Sequence, residues 1–164
     1  MPKFSYLLLL LFILSISVKA QIQKEVPVLT YEEVEQIIQQ EDDKILVVNF
    51  WATTCAPCIK ELPHFMEVNQ RFKSNPKYKM LLVSLDRTKD MSRVLNFMKA
   101  KNIETEVVLL NDNKRMNVWI PRYDENWGGE IPVTVFYKKG QKVEFHNGVI
   151  SKEELTNKIN KYLN

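Results

Sequence analysis

The sequence predicts a single α/β domain in which one mixed β-sheet is flanked by helices on both faces. Helical and strand patterns alternate from about residue 30 to residue 110, which is typical of parallel strands joined by helices. Two further strand patterns, residues 133–137 and 142–146, are separated by a short polar turn and predict an antiparallel hairpin. The chain has 164 residues, 45% of them hydrophobic, which is enough for one core.

The first twenty residues have the pattern of a signal peptide. Lys3 precedes an apolar run from Phe4 to Ile16, and Val18 and Ala20 are the small residues before a cut after position 20. We expect export to the periplasm or another extracytoplasmic compartment, with an uncleaved leader acting as a membrane anchor as the alternative. No cysteine lies near the cut, which excludes processing as a lipoprotein.

The charge pattern gives no support for nucleic-acid binding. Removal of residues 1–20 takes away Lys3 and Lys19 and lowers the formal net charge from +3 to +1. The remaining basic residues are scattered among acidic ones, so they form no basic patch. The sequence calls for no cofactor and no metal, and we expect a monomer.

Residues 21–29 are expected to form an extended N-terminal arm, and residues 30–164 the folded domain. Thr30 and Glu33 have the spacing of a capping box and predict the start of a helix. An apolar run over 45–51 predicts a strand buried on both faces. A helical pattern follows from Ala56 to about Phe72.

The later elements are predicted from the same signals. Residues 79–86 form a buried strand that ends at an acid, and Thr88 or Asp90 begins a helix that runs to about Ala100. Residues 106–110 form a short strand. Helical turns over 113–119, a loop over 121–130, the hairpin, and a final helix capped by Ser151 and Glu154 complete the chain.

Cys55 and Cys58 are the only two cysteines, and they fall at the turn from the buried strand into the long helix. The positive end of a helix stabilises a thiolate, the form of cysteine that attacks disulfides. Cys55 is therefore the candidate nucleophile, and Cys58, one turn further on, is the candidate resolving sulfur. A purely structural disulfide is the alternative, but closing so small a loop gives only about 2 kcal/mol.

The segment from Asn49 to Cys58, with Glu61 and Pro63 behind it and Ile131-Pro132 far downstream, resembles the thioredoxin-like family. The resemblance is to its secreted TlpA/ResA-type branch and covers most of the chain after the leader. It implies a thioredoxin fold and thiol–disulfide exchange. The expected function is reduction of disulfides in secreted proteins, or of apocytochrome disulfides in cytochrome c maturation. The implied partners are protein dithiols or disulfides and an upstream thiol reductant.

The resemblance also implies roles for Glu61 and for Ile131-Pro132. Glu61 by itself would be an ordinary carboxylate in the first turns of a helix, but ResA-type proteins carry a glutamate here near the cysteines. Asn49 stands where thioredoxin has a buried aspartate, so Glu61 is the candidate for proton transfer with Cys58. Pro132 matches the cis-proline that faces the cysteines and is a candidate substrate-binding residue, and the Ile131 backbone is expected to pair with an extended substrate.

The tryptophans receive different predictions. Trp51 matches the tryptophan that supports the cysteine turn, and Trp127 is expected at the rim of a substrate groove; both are candidate substrate-binding residues. Trp119 is expected in the core. Thr54 stands where the family often has a tryptophan, which leaves a smaller and more polar approach to Cys55.

Two alternative functions have weaker support in the sequence. A peroxidase of the peroxiredoxin kind needs a threonine three residues before its cysteine, where this chain has Ala52. A copper-binding assembly protein would use Cys55, Cys58 and a histidine as soft ligands. Such carriers usually supply the histidine from the loop before the last hairpin, and neither of the two histidines, His64 and His146, lies there.

Overall fold

The computed structural model describes residues 25–41 and 43–163, so the predicted signal peptide lies outside the described residues. This part of the chain contains six strands and five α-helices. In chain order they are β1 Val28–Leu29, α1 Tyr31–Gln39, β2 Ile45–Trp51, α2 Ala56–Phe72, β3 Tyr78–Ser84, α3 Met91–Ala100, β4 Glu106–Leu110, α4 Met116–Tyr123, β5 Val133–Lys138, β6 Gln141–Asn147 and α5 Lys152–Leu163. Among these helices we find none with the length and apolar character to cross a bilayer.

The six strands form one mixed sheet in the order β1-β4-β3-β2-β5-β6. Strands β1, β4, β3 and β2 are parallel to one another, whereas β5 runs antiparallel to β2 and β6 antiparallel to β5. The predicted hairpin is confirmed, and Lys139 and Gly140 at its tip have φ values of 54° and 69°. Positive φ at both positions is typical of a two-residue hairpin turn.

Helices cover both faces of the sheet, as predicted. The alternation of side chains along β2 sends Ile45, Val47 and Trp51 to one face and Leu46, Val48 and Phe50 to the other. The first face packs against α2, α3 and α5, and the second against α1 and α4. All seven residues of β2 are buried, so the strand that leads to the cysteines is a fixed support.

The structure differs from the sequence prediction at two elements. The end of the N-terminal arm, Val28–Leu29, forms the edge strand β1 beside Leu109 and Leu110. Two residues are too few for a periodic pattern, so this strand had no signal. Helix α4 continues through Pro121 to Tyr123, where a loop was predicted. Burial of Trp119, Ile120 and Tyr123 against the sheet supports these turns despite the proline.

The capping box at Thr30 is present and allows a first prediction. Glu33 N–H donates to Thr30 Oγ1 (3.4 Å), and Thr30 N–H donates to Glu33 Oε2 (2.7 Å). Thr30→Ala should lower the free energy of unfolding by about 1 kcal/mol, since it leaves a helix donor without its cap. Urea unfolding measures the change. Thr30→Ser is the matched control and should stay close to the wild type; equal losses in both variants would contradict capping as the cause.

Candidate active site

The two cysteines lie at the turn from β2 into α2 and are joined by a disulfide bond. Cys55 is the N-cap of α2, and the Cys58 backbone N–H donates to Cys55 Sγ at 3.3 Å. Cys55 is half-buried, whereas Cys58 is completely buried. A reagent can therefore reach Cys55 directly, while Cys58 is accessible mainly to Cys55.

The segment before β5 faces Cys55 from the opposite side. The Ile131 carbonyl oxygen lies 3.6 Å from Cys55 Sγ, and the peptide bond between Ile131 and Pro132 is cis. Ile131 is half-buried and Pro132 is buried. The Pro132 carbonyl accepts the Gly148 N–H at 2.9 Å, which ties this segment to the loop before α5.

Glu61 is buried next to the base of the cysteine turn, with only 1% of its surface exposed. Its Oε1 accepts from Asn49 Nδ2 at 3.0 Å and its Oε2 from the Ile150 N–H at 2.9 Å. Burial raises the pKa of Glu61 to about 7, although these two hydrogen bonds act in the opposite direction. A carboxyl group with this pKa can exchange protons near neutral pH.

Asn49 links Glu61 to the sheet. Besides Glu61, its Nδ2 is within hydrogen-bond distance of Thr134 Oγ1 (3.2 Å) and the Val133 carbonyl (3.4 Å) on β5. Its Oδ1 is buried and has no hydrogen-bond partner among the described residues. The asparagine therefore acts as a donor to Glu61.

Trp51 and Trp127 do not lie where a substrate could touch them. Trp51 is fully buried and packs on Phe97, with ring centroids 5.3 Å apart. Trp127 is 3% exposed, packs on Phe50 at 4.9 Å, and donates from Nε1 to the Glu130 carbonyl at 2.7 Å. The expectation that these two rings bind substrate is corrected, because both rings are buried in the core. Trp119 is in the core, as expected.

A group of polar residues that no sequence motif indicated lies beside the cysteine turn. Thr53, two residues before Cys55, contacts Asp86 and Arg93. The only sequence signal was an acid at the end of the strand pattern over 79–86. Strands β2 and β3 are parallel neighbours, so their C-terminal ends lie side by side at one edge of the sheet. Asp86 comes two residues after the end of β3 and therefore lies beside the turn that follows β2.

Neither histidine takes part in the contacts described around Cys55 and Cys58. His64 is exposed on α2, and His146 lies 3.2 Å from both Glu154 Oε1 and the Val149 carbonyl oxygen. Across residues 25–41 and 43–163 there is no group of three or more His, Cys, Asp or Glu side chains placed to hold a metal ion.

Comparison with known proteins supports a redox role for this site. Residues 22–146 match the model of the AhpC/TSA family. The thiol-disulfide oxidoreductase ResA of Bacillus cereus (strain ZK / E33L) is 28% identical over 147 residues, covering 87% of this chain and 79% of the relative.

Solved structures show the same fold. The thiol:disulfide interchange protein from Chlorobium tepidum TLS has a TM-score of 0.63 at 21% identity, covering 76% of this chain and 83% of that one. StoA from Bacillus subtilis has a TM-score of 0.57 at 24% identity, covering 71% and 82%. The chain therefore belongs to the AhpC/TSA family, has the thioredoxin fold, and is a thiol-disulfide oxidoreductase similar to ResA.

Proposed function

We propose that the protein is exported and reduces disulfides in other secreted or periplasmic proteins, including apocytochromes, by using Cys55 and Cys58. The observation that carries the proposal is the asymmetry of the pair: Cys55 is reachable at a helix start and Cys58 is buried behind it. This arrangement lets one sulfur attack the substrate and keeps the other in position to resolve the mixed disulfide.

The reaction has two steps. The Cys55 thiolate attacks one sulfur of a substrate disulfide, and the other substrate sulfur leaves as a thiolate that takes a proton. Cys58 then gives up its proton and its sulfur attacks Cys55 Sγ in the mixed disulfide, which forms the Cys55–Cys58 disulfide and frees the second substrate sulfur as a thiolate that takes up a proton. The substrate gains two electrons and the protein loses two. An upstream thiol reductant restores the dithiol by the reverse exchange.

We place the substrate chain against Ile131. Its carbonyl oxygen lies 3.6 Å from Cys55 Sγ, and its side chain is half-buried. An extended substrate that reaches Cys55 passes this backbone and can pair with it as an added strand. Pro132, expected to bind substrate, is buried, so we assign it instead to shaping this segment.

The reduction potential of the Cys55–Cys58 couple tests the direction of the reaction. Purified protein equilibrated in thiol redox buffers should give a value near that of thioredoxin, about −270 mV. A value near that of DsbA, about −120 mV, would make the protein an oxidant and overturn the proposed direction. The absence of a reversible couple, together with tight copper uptake by the reduced protein, would overturn the oxidoreductase function itself.

A further inference from the structure

The turn that carries Cys55 is hydrogen-bonded to two side chains from other parts of the chain, and these two side chains also bond to each other. Asp86 follows β3, and Arg93 lies in the first turn of α3. Thr53 in the turn donates its backbone N–H to Asp86 Oδ2 at 2.8 Å, and its hydroxyl lies 2.5 Å from Asp86 Oδ1. Arg93 donates from Nε to Thr53 Oγ1 at 2.7 Å and from Nη2 to Asp86 Oδ1 at 3.0 Å.

The chemistry of the groups fixes the direction of each hydrogen bond. A guanidinium can only donate and an ionised carboxylate can only accept, so the single proton of the Thr53 hydroxyl must point at Asp86. Ser84 Oγ donates to Asp86 Oδ2 at 2.9 Å. Asp86 thus receives four hydrogen bonds, which satisfies a carboxylate that is only 4% exposed. Although burial acts to raise it, these bonds hold the pKa of Asp86 below its usual range.

Arg93 is badly placed for helix stability, which argues for another role. It lies in the first turn of α3, where the helix dipole disfavours a cation. Asp86 and Asp90 offset this cost, since Arg93 Nη1 also lies 3.4 Å from Asp90 Oδ1. Its Nε donates a hydrogen bond to Thr53, which lies 40 residues earlier in the sequence and two residues before Cys55. The contact ties α3 to the cysteine turn.

We propose that Thr53, Asp86 and Arg93 form a positioning cluster that holds the turn before Cys55, and with it Cys55 Sγ, in the geometry needed for disulfide exchange. The proposal rests on the proposed role of Cys55 as the nucleophile. The Cys55 N–H donates to the Ala52 carbonyl at 3.1 Å, so a shift of Thr53 moves the residue that carries the sulfur. The Cys58 N–H at 3.3 Å stabilises a thiolate only while that sulfur is held in place.

The test compares four variants of the full chain: Thr53→Val, Thr53→Ser, Asp86→Asn and Arg93→Met. The first measurement is the rate of insulin disulfide reduction. Thr53→Val and Arg93→Met should each slow it roughly tenfold, the equivalent of one hydrogen bond to a charged group. Their double variant should be no slower than either one, because they break the same unit. Thr53→Ser keeps the hydroxyl and should restore the wild-type rate.

The second measurement separates position from charge. The rate of Cys55 alkylation by iodoacetamide is followed against pH, and its midpoint should move to higher pH in both Asp86→Asn and Arg93→Met, since both loosen the turn. A purely electrostatic effect requires opposite shifts, because one variant removes an anion and the other a cation. Opposite shifts would overturn the proposal, as would variants that match the wild type.

Two controls distinguish an effect on the reactivity of Cys55 from a loss of stability. Arg87→Met removes a neighbouring arginine that pairs with Asp90 at 3.0 Å, and it should leave both measurements unchanged. Urea unfolding of each variant reports any loss of stability, and a variant that is destabilised but reacts like the wild type counts against positioning. If wild-type Cys55 itself proves unreactive, the proposed function fails. If it reacts and the cluster variants match it, only the positioning inference fails.

Discussion

Cys58→Ser should convert the protein into one that captures its substrate and does not release it. Cys55 remains reachable in this variant and can attack a substrate disulfide. The second step has lost its thiol, so the mixed disulfide on Cys55 accumulates. Turnover of insulin disulfides should fall by on the order of 10³ or more, as expected when a nucleophile is removed.

Cys55→Ser is the matched variant, and it should lose turnover to a similar extent without capturing anything. Cys58 is completely buried, so a substrate disulfide does not reach its sulfur. Both variants are incubated with insulin, blocked with an alkylating agent, and analysed by non-reducing electrophoresis and mass spectrometry. Adduct on Cys58 in Cys55→Ser, formed as fast as adduct on Cys55 in Cys58→Ser, would reverse the two assigned roles.

Local signals predicted most of the fold. The capping box at Thr30 and the apolar run of β2 define their elements within a few neighbouring residues, and the observed α1 and β2 begin where expected. Helix α2 also has the predicted bounds, Ala56–Phe72. Strand β1 and the second half of α4 were missed because their stability comes from packing against residues that are distant in sequence.

The same distinction between local signals and long-range contacts applies to the residues of the site. Cys55 and Cys58 were found because both sulfurs lie in one turn of chain. The contact between Thr53 and Asp86 spans 33 residues, and the one between Glu61 and the Ile150 N–H spans 89, so no local pattern reports either. Trp127 was misplaced for a related reason: a tryptophan beside two glycines indicates a loop, but not that its ring packs in an aromatic cluster with Phe50.

The burial of Glu61 should make the stability of the protein depend on pH in an unusual direction. Its pKa is about 7 in the folded chain, against an ordinary value of 4.5. The folded state therefore binds more protons than the unfolded state between these two values, so stability falls as pH rises through this window. The loss attributable to Glu61 should be on the order of 3 kcal/mol by pH 7.5.

Glu61→Gln should remove this pH dependence. Urea unfolding of the oxidised protein from pH 4.5 to 8 gives the difference in unfolding free energy between wild type and variant, which should shrink or reverse as pH rises. Glu67→Gln is the control on the same helix. Glu67 is exposed and pairs with Lys152, an interaction that lowers its pKa, so its titration lies below this window. A wild-type advantage over Glu61→Gln that grows with pH would show that the buried carboxyl is stabilised as an anion.

The same variant tests the assignment of Glu61 to proton transfer. If Glu61 accepts the proton of Cys58 before the second step, release of the mixed disulfide in the wild type should accelerate as pH rises through about 7, where Glu61 ionises. Glutamine cannot take up this proton, so Glu61→Gln should release more slowly and lose that rise. Stopped-flow measurement of release separates this step from the attack by Cys55. Glu61→Gln could lose the pH-dependent stability and still release the mixed disulfide with the pH profile of the wild type. That result would show that Glu61 titrates but takes no part in the exchange.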